Sequence, residues 1–413
     1  MNRLSALLTL ILVSVAAHAT VLRHGEPIRV SLDEAEAVHV KTAFGILESD
    51  LRSVLGAPAE TAAGEADIIV GTLGVNPLLD TLGLDYADLR GRHEGFMLES
   101  LPDGRIVIAG SDSHGTMYGM MELSRMLGVS PWEWWADVTP QPKDSLEIPA
   151  GFRTIQSPSV RLRGIFINDE DWGLMPWSGT TFEAECGLHT IGPRTNAKIF
   201  ELMTRLRANY YWPAMHECTR PFFLTPGNRE VAERYGIYVG GSHCEPMASS
   251  TAGVWPARGK GAYDYINNRD SVYDFWEQRV REVAGQEIVY TLGMRGVHDS
   301  KMLGAKSVEE QKEALGRVLA DQRGLIARHV NKDVEEVPQV FIPYKEVLDV
   351  YNAGLEVPDD VTLMWCDDNY GYIRHFPTEV ERARKGGNGI YYHVSYWGRP
   401  HDYLWLCTFS PYL

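Results

Sequence analysis

Seven short apolar segments recur along the second two thirds of the chain, and stretches with helical spacing separate them. The segments are rich in Val, Ile, Tyr and Phe, and they cover residues 162–168, 208–215, 236–242, 288–294, 339–344, 362–366 and 390–395. Apolar strands that alternate with helices are typical of parallel sheets built from βαβ units. The pattern predicts an α/β fold in which residues 156–413 form a TIM-type (β/α)8 barrel whose last strand is missing. A doubly wound sheet would need a glycine fingerprint after the first strand, and the sequence lacks it there.

The first part of the chain, residues 20–155, has a different pattern that predicts a small α/β domain. The predicted elements are a buried strand, a hairpin and a helix, over residues 66–72, 95–109 and 116–127. Asp103-Gly104 is a typical hairpin turn, and Gly128 is a typical helix end. Several prolines between residues 140 and 149 mark the exit from this domain.

The N-terminal segment has the three-part pattern of a cleavable secretory signal. Arg3 supplies the positive charge, residues 4–17 form the apolar run, and Ala17-His18-Ala19 has the small residues that flank a cleavage site. The apolar run is shorter than the roughly 20 residues that a membrane-spanning helix needs. We therefore expect residues 1–19 to be removed, and the mature protein to be secreted or periplasmic and free of the membrane.

The composition narrows the range of partners and of redox chemistry. The formal net charge of −16 would repel phosphates, so we expect no nucleic acid partner. The 11 tryptophans and 19 tyrosines are many for 413 residues, and several lie beside predicted strand ends. The five cysteines are scattered and show no CxxC spacing, which favours buried thiols, with at most one disulfide.

Charged and aromatic residues follow nearly every predicted barrel strand. Because the carboxyl ends of the strands meet at one face of a parallel barrel, these residues are expected to share one pocket. A single carboxylate of this kind is commonly a solvated loop charge, but a cluster at seven successive strand ends favours a catalytic pocket. In chain order the candidates are Asp169, Trp212, His243, Glu245, Arg295, Asp299, Lys345, Glu346, Asp367, Asn369, His393 and Tyr396.

Carboxylates mixed with aromatic residues suit the hydrolysis of glycosides. That reaction uses one protonated and one ionised carboxyl group around an oxocarbenium-like transition state. Flat Trp and Tyr rings can pack against sugar rings, and Asn and His can bind hydroxyls. Arg295 and Lys345 are expected either to keep the pKa of one acid low or to bind a carboxylate of the substrate. Structural salt bridges are the alternative role for both residues.

Two other chemistries are less well supported. Four histidines, His216, His243, His298 and His393, stand near acidic residues, but the chain has no HxH, HExxH or CxxC spacing for zinc. A serine nucleophile would need a GxSxG turn, which is absent from the sequence. We therefore expect no metal and no other cofactor.

The motifs at the strand ends resemble those of the α-glucuronidases of glycoside hydrolase family 115, which remove (4-O-methyl)glucuronic acid from xylan. The matching stretches include RGIFINDEDWGLMPW, YGIYVGGSHCEPM and TLGMRG, and the longest is YKEVLDVYNAGLEVPDDVTLMWCDDNYGYIR. In full they cover residues 163–177, 205–217, 235–247, 291–296, 344–374 and 389–406. Residues 109–128 also resemble the N-terminal domain that accompanies such barrels.

The resemblance implies an inverting mechanism, in which two carboxylates flank a water molecule. It places Asp299, Glu346, Asp367 with Asp368, and Asp169 in the catalytic pocket. We assign Asp299 as the general acid and Glu346 as the general base, with Asp367 as the alternative base. The resemblance further implies that the uronate and its hydroxyls are held by Arg295, Lys345, Asn369, His393 and Tyr396. It also implies that the pocket wall is shaped by Trp212, His243 and Glu245.

The implied substrate is glucuronoxylan or its aldouronic acid oligosaccharides, and full-length proteins of the family can form a homodimer. Family members continue past the position of Leu413, through the last barrel strand and into further domains. The chain is therefore expected to be a fragment or a truncated product, poorly soluble because a strand is missing. An inactive or merely sugar-binding remnant is the second hypothesis for its function.

Overall fold

A computed structural model describes residues 19–62, 65–168, 173–368 and 372–393. The predicted signal segment lies outside the described residues except for Ala19, and so do three candidate site residues, Asp169, Asn369 and Tyr396. The chain divides into two compact units. The first comprises the described residues of Met1–Arg161 with Thr204–Arg207, and the second comprises the described residues of Leu162–Met203 and Ala208–Leu413.

The first unit is built around a six-stranded mixed sheet with the strand order β3-β2-β4-β6-β5-β8, and β1 and β7 form a separate antiparallel pair. Helices α1 and α3 pack against each other. The elements are β1 (Thr20–Arg23), β2 (Ile28–Leu32), α1 (Val38–Leu55), β3 (Ala59–Thr61), β4 (Ile68–Thr72), α2 (Leu78–Thr81), β5 (Phe96–Ser100), β6 (Ile106–Gly110), α3 (Ser113–Leu127), β7 (Ser145–Ile148) and β8 (Arg153–Gln156).

The predicted hairpin and helix of this unit are confirmed. Strands β5 and β6 pair antiparallel across the predicted turn. Helix α3 begins three residues before the predicted start because the side chain of Asp112 caps it and accepts a hydrogen bond from the backbone N–H of Gly115. Gly115 itself lies so close to the sheet that a Cβ atom would be 1.9 Å from the carbonyl oxygen of Gly95. The helix ends at Gly128, as predicted, in the left-handed conformation.

A buried histidine in this unit predicts a pH-dependent stability. The ring centroid of His39 lies 4.6 Å from that of His114, and His39 is 7% exposed. Burial, with a smaller contribution from His114, lowers the pKa of His39 to about 3. In the unfolded chain the group titrates near ~6.5. As the pH falls below that value, the unfolded state takes up a proton that the folded state does not.

We therefore expect the free energy of unfolding to fall by up to ~1.4 kcal/mol per pH unit as the pH decreases from about 6.5 towards the folded pKa. Urea unfolding at pH 7.5 and pH 5.0 tests this for the wild type and for His39→Leu. Between these two pH values the free energy of unfolding of the variant should fall by about 2 kcal/mol less than that of the wild type. His24→Leu, at an exposed position, is the matched control. Equal losses in the wild type and His39→Leu would contradict the prediction.

The second unit contains the predicted alternation of strands and helices. Its strands are β9 (Gly164–Phe166), β10 (Tyr210–Trp212), β11 (Tyr238–Val239), β12 (Tyr290–Leu292), β13 (Gln339–Phe341), β14 (Thr362–Cys366) and β15 (Asn388–Tyr391). Its α-helices are α4 (Leu174–Trp177), α5 (Pro193–Arg205), α6 (Asn228–Tyr235), α7 (Thr251–Arg258), α8 (Arg269–Val283), α9 (Val308–His329), α10 (Glu346–Asn352) and α11 (Glu379–Arg382). Five turns of 3-10 or π-helix complete the described part, over Ser178–Phe182, Ala184–Cys186, Phe222–Leu224, Pro246–Ala248 and Val334–Glu336.

The described residues contain a strand in or overlapping each of the seven predicted segments, and each strand is parallel to its neighbours. The last strand begins two residues before its predicted segment, and the last two residues of that segment lie outside the described part. The strands form a three-stranded sheet, β11-β10-β9, and a four-stranded sheet, β12-β13-β14-β15. A parallel bridge between Val239 and Ile288 joins the two sheets. Most observed strands are shorter than their apolar segments, and the last residues of several segments belong to the loops that carry polar side chains.

Side chains from these strands pack into one apolar cluster. The ring of Phe166 on the first strand lies 5.9 Å from that of Tyr391 on the last, so side chains of the two outermost strands meet. Among the described residues, β9 and β15 do not pair through their backbones, and closure into a TIM-type barrel stays a prediction. The buried members of the cluster are Tyr210, Trp212, Val289, Val340, Ile342, Tyr344, Met364 and Tyr391.

The described residues also bear on the cysteines and on the membrane. Cys186, Cys218, Cys244 and Cys366 are free thiols, of which Cys244 is fully buried; Cys407 lies outside the described residues. Among the helices described, none is long and apolar enough to cross a bilayer.

Candidate active site

The loops that follow β11, β12 and β13 bring five of the candidate site residues together. His243 follows β11, Arg295 and Asp299 follow β12, and Lys345 and Glu346 follow β13. Because the three strands are parallel neighbours, their carboxyl ends and the loops after them lie at the same edge of the sheet. The side chains of these residues form one network of ion pairs and hydrogen bonds.

Arg295 lies at the centre of this network and is 2% exposed. Its Nε and Nη2 donate to the two carboxylate oxygens of Glu346, over 2.9 Å and 2.8 Å. Its Nη1 donates to Oδ1 of Asp299. Bidentate pairing fixes the orientation of Glu346 as well as its distance. Three nitrogens of Arg295 therefore each donate to a carboxylate of the protein itself.

Asp299 is held by three groups and remains accessible, since its side chain is 42% exposed. Arg295 and Lys345 both form ion pairs with it, and Nε2 of His243 lies 3.1 Å from Oδ1. Partial burial alone would raise the pKa of Asp299, but the hydrogen bonds from His243 and Lys345 and the charge of Arg295 outweigh it and hold that pKa well below its usual range. Asp299 is therefore ionised at neutral pH in this arrangement.

His243 is neutral in this environment. Burial lowers its pKa, and the neighbouring Asp299 offsets that shift only in part. In the tautomer that satisfies the network, Nε2–H donates to Asp299 and Nδ1 is the acceptor. Nδ1 is buried and has no hydrogen-bond partner among the described residues.

Two tyrosines that are not among the predicted site residues complete this part of the site. The ring of Tyr344 lies 4.0 Å from that of His243, and Nζ of Lys345 lies 5.0 Å from the Tyr344 centroid. The ring of Tyr391 lies 4.7 Å from that of His393. Both tyrosines lie in apolar strand segments, so their pattern indicates core packing. Their proximity to Lys345 and His393 in the sequence was the signal available.

Asp367 and His393 form a second, deeper pair at the ends of β14 and β15. Nδ1 of His393 lies 2.6 Å from Oδ1 of Asp367, and the backbone N–H of His393 donates to the same oxygen over 3.1 Å. Asp367 is 2% exposed, and its Oδ2 has no hydrogen-bond partner among the described residues. The carboxylate of Asp367 orients the imidazole of His393. Asp367 itself does not face solvent. The adjacent Asp368 instead accepts from the backbone N–H of Tyr372 over 3.0 Å and from Arg374.

Two predicted pocket-wall residues lie deeper than expected. Trp212 is 4% exposed, and its ring lies 5.2 Å from that of Tyr391 inside the apolar cluster. Glu245 is also buried, and it lines a small cavity together with Gly240, Gly241 and Arg279. Both residues are therefore buried in the structure.

One group of side chains has donor atoms that suit a metal. One ligand atom each from His243, Cys244 and Asp299 lies within 4.8 Å of the others. Burial raises the pKa of the Cys244 thiol, with a further contribution from Asp299, so the thiol keeps its proton. Asp299 already pairs with Arg295 and Lys345. A metal would have to displace both cations, so these residues do not fit one as they are arranged.

Comparison with known proteins relates the chain to one enzyme family. The model of glycosyl hydrolase family 115 matches residues 155–413. A solved structure of a family 115 4-O-methyl-α-glucuronidase with specificity for decorated arabinogalactans is 65% identical, with a TM-score of 0.91 over 95% of this chain and 52% of that chain. This chain thus spans about half the length of that protein. No curated protein matches the chain.

More distant structures share the fold alone. Two structures of Streptomyces plicatus β-hexosaminidase superpose with TM-scores of 0.52 and 0.51 at 14% and 13% identity, each over 91% of this chain and 71% of that chain. At this level of identity the likeness carries no information about substrate.

Proposed function

Because the chain belongs to glycosyl hydrolase family 115, we propose that it is an inverting, exo-acting α-glucuronidase that releases (4-O-methyl)glucuronic acid from a polysaccharide. The observation that carries the proposal is the network in which one buried arginine holds Asp299 and Glu346 beside the accessible ammonium of Lys345. Two carboxylates supply the acid and base of glycoside hydrolysis, and a cation beside them suits an acidic sugar. Export to the periplasm or the medium belongs to the same proposal and rests on the N-terminal signal pattern.

Lys345 is the cation that recognises the uronate in this proposal. Arg295 was the other candidate, but its guanidinium is buried and bound by Glu346 and Asp299. The side chain of Lys345 is 40% exposed and contacts only the accessible Asp299 among the acidic residues described. A flexible ammonium can exchange one carboxylate partner for another.

The exchange of partners gives Asp299 a way to act as the general acid. When the uronate carboxylate binds Lys345, Asp299 loses one of the groups that lower its pKa, so this pKa rises. Asp299 can then take up a proton and deliver it to the leaving oxygen. Glu346 accepts a proton from the attacking water, whose oxygen bonds to the anomeric carbon as the glycosidic C–O bond breaks. Asp367, the alternative base, is buried against His393 and fits a role in orienting that imidazole.

Two polysaccharides compete as the substrate. The resemblance of the sequence motifs implies glucuronoxylan and aldouronic acids. Arabinogalactan that carries glucuronic acid is the second candidate, because the structure that is 65% identical belongs to an enzyme with specificity for decorated arabinogalactans. A homodimer is also a prediction from the resemblance.

The proposed function is tested by incubating the protein with each of the two polysaccharides and with aldouronic acid oligosaccharides. Release of free uronic acid from one of them is the expected result, and proton NMR at early times should show the β-anomer of the released sugar, as inversion requires. Release of neutral sugars without uronic acid would contradict the proposal. Binding of oligosaccharide without any hydrolysis would favour the sugar-binding remnant.

The role of Lys345 makes a separate prediction. Lys345→Met should lower kcat/KM on an α-glucuronide by about 100-fold, because the uronate loses its cation. The same variant should change kcat/KM on the matching neutral α-glucoside much less, so that the preference for the acidic sugar narrows. Lys301→Met, at an exposed position on the loop after Asp299, is the matched control. An equal loss of kcat/KM on both substrates would mean that Lys345 acts on Asp299 and does not bind the uronate.

A further inference from the structure

A buried glutamine on α9 holds the backbone from which the catalytic network begins. Gln322 is fully buried. Its Oε1 accepts a hydrogen bond from the backbone N–H of Gly293 over 2.8 Å, and its Nε2 donates to the carbonyl oxygen of the same residue, also over 2.8 Å. The side-chain amide thus pairs with both polar backbone groups of one residue, as a neighbouring strand would.

Gly293 is the residue at which the chain leaves β12. It has a φ of 92°, in the region that favours glycine, and a Cβ atom there would lie 3.0 Å from the ring of Phe341. A buried N–H and carbonyl without partners would each be costly, so the turn needs a partner at this point. Gln322 supplies both hydrogen bonds from a helix that is itself packed in the core.

Two residues beyond this turn lies Arg295, which pairs with Glu346 and Asp299. A second contact fixes the neighbouring loop: the hydroxyl of Thr291 on β12 donates to the carbonyl oxygen of Gly241, two residues before His243. The end of β12 is therefore held from both sides, by α9 and by the loop that carries His243. Any rotation of the turn at Gly293 would move the guanidinium relative to both carboxylates.

We propose that Gln322 is a positioning residue for hydrolysis, whose side-chain amide fixes the turn at Gly293 and so holds Arg295 between Glu346 and Asp299. The inference rests on the proposed function, since it assigns Gln322 to that same site. Gln322 touches neither the substrate nor the reacting atoms in this role. It acts through the backbone of the loop after β12, about 30 residues away in sequence.

Gln322→Met tests the proposal, because methionine has a similar volume but can make neither hydrogen bond. A displacement of about 1 Å at reacting groups can cost 10²-fold in rate, so we expect kcat to fall by about 10- to 100-fold. KM should change by less than about threefold, since Lys345 is not displaced. As Arg295 moves away from Asp299, the pKa of Asp299 should rise, and the limb of the pH–rate profile that reports it should move to higher pH.

Ile326→Ala is the matched control. Ile326 is buried one turn further along α9 and is apolar, so its truncation should lower the melting temperature without moving the pH–rate limb. If Gln322→Met behaves like this control, with lower stability but unchanged kcat and pH profile, Gln322 is structural and the proposal is wrong. Should the methionine variant fail to fold, Gln322→Asn keeps a neutral amide on a shorter side chain, and it should show a smaller loss of kcat in the same direction.

A measurement without substrate separates this inference from the proposed function. Carbon-detected NMR with labelled aspartate follows the titration of the Asp299 carboxyl group in the wild type and in Gln322→Met. A higher pKa of Asp299 in the variant supports the positioning role even if no substrate is hydrolysed. An unchanged titration, with uronic acid still released by the wild type, would overturn the role of Gln322 and leave the proposed function intact.

Discussion

Replacing Glu346 with glutamine is expected to lower kcat for uronic acid release by about 10²–10⁴-fold, with the protein still folded. Glutamine has the same shape and can still accept one hydrogen bond from Arg295, which in the structure donates to both carboxylate oxygens. It cannot take up the proton of the attacking water. Initial rates on the best substrate, together with circular dichroism, measure the effect.

Asp349→Asn provides the control for this substitution. Asp349 lies on the same helix, α10, and is exposed, so removing its charge changes the helix but not the pocket. A Glu346→Gln variant that kept more than about half of the wild-type rate would show that Glu346 is not the general base. Asp367 would then be the next residue to test, although its burial against His393 argues for an orienting role.

Replacing Arg295 is expected to have the largest combined effect on activity and stability. Arg295→Met removes the cation between Asp299 and Glu346, so two carboxylates lose their shared partner. Breaking a buried pair in this way costs on the order of 3–5 kcal/mol of stability. We expect kcat/KM to fall by about 10³-fold, because both catalytic groups lose their orientation. Urea unfolding and steady-state kinetics measure the two effects separately.

Two further variants show whether the geometry or the charge of Arg295 is responsible for the losses in Arg295→Met. Arg295→Lys keeps the charge but cannot pair with both oxygens of Glu346, so most of the activity should still be lost. The double variant Arg295→Met with Glu346→Gln should recover part of the stability lost in Arg295→Met, because no unpaired carboxylate remains at that position. Full activity in Arg295→Lys would mean that the charge alone is sufficient. Additive losses of stability in the double variant would contradict a direct pairing.

The elements of both units follow from local features of the sequence. The apolar segments predict all seven strands of the second unit, and the turn at Asp103-Gly104 predicts the hairpin of β5 and β6. Such features depend on backbone preferences and on the alternation of apolar and polar residues within about ten positions. The sequence also shows that charged residues follow the strands, and the parallel topology is sufficient to predict that those after β11, β12 and β13 lie at one edge.

The pairing of those residues was decided by the tertiary structure alone. Arg295 and Glu346 are 51 positions apart, and the angle at which each loop leaves its strand determines whether the guanidinium meets a carboxylate of the protein or one of the substrate. The burial of Asp367 behind His393 and the contact of Gln322 with Gly293 depend in the same way on packing between distant segments. A sequence pattern shows which residue types follow the strands. Ion pairs and pKa shifts depend instead on distances of a few ångströms and on burial, and both are determined only when the strands and helices pack together.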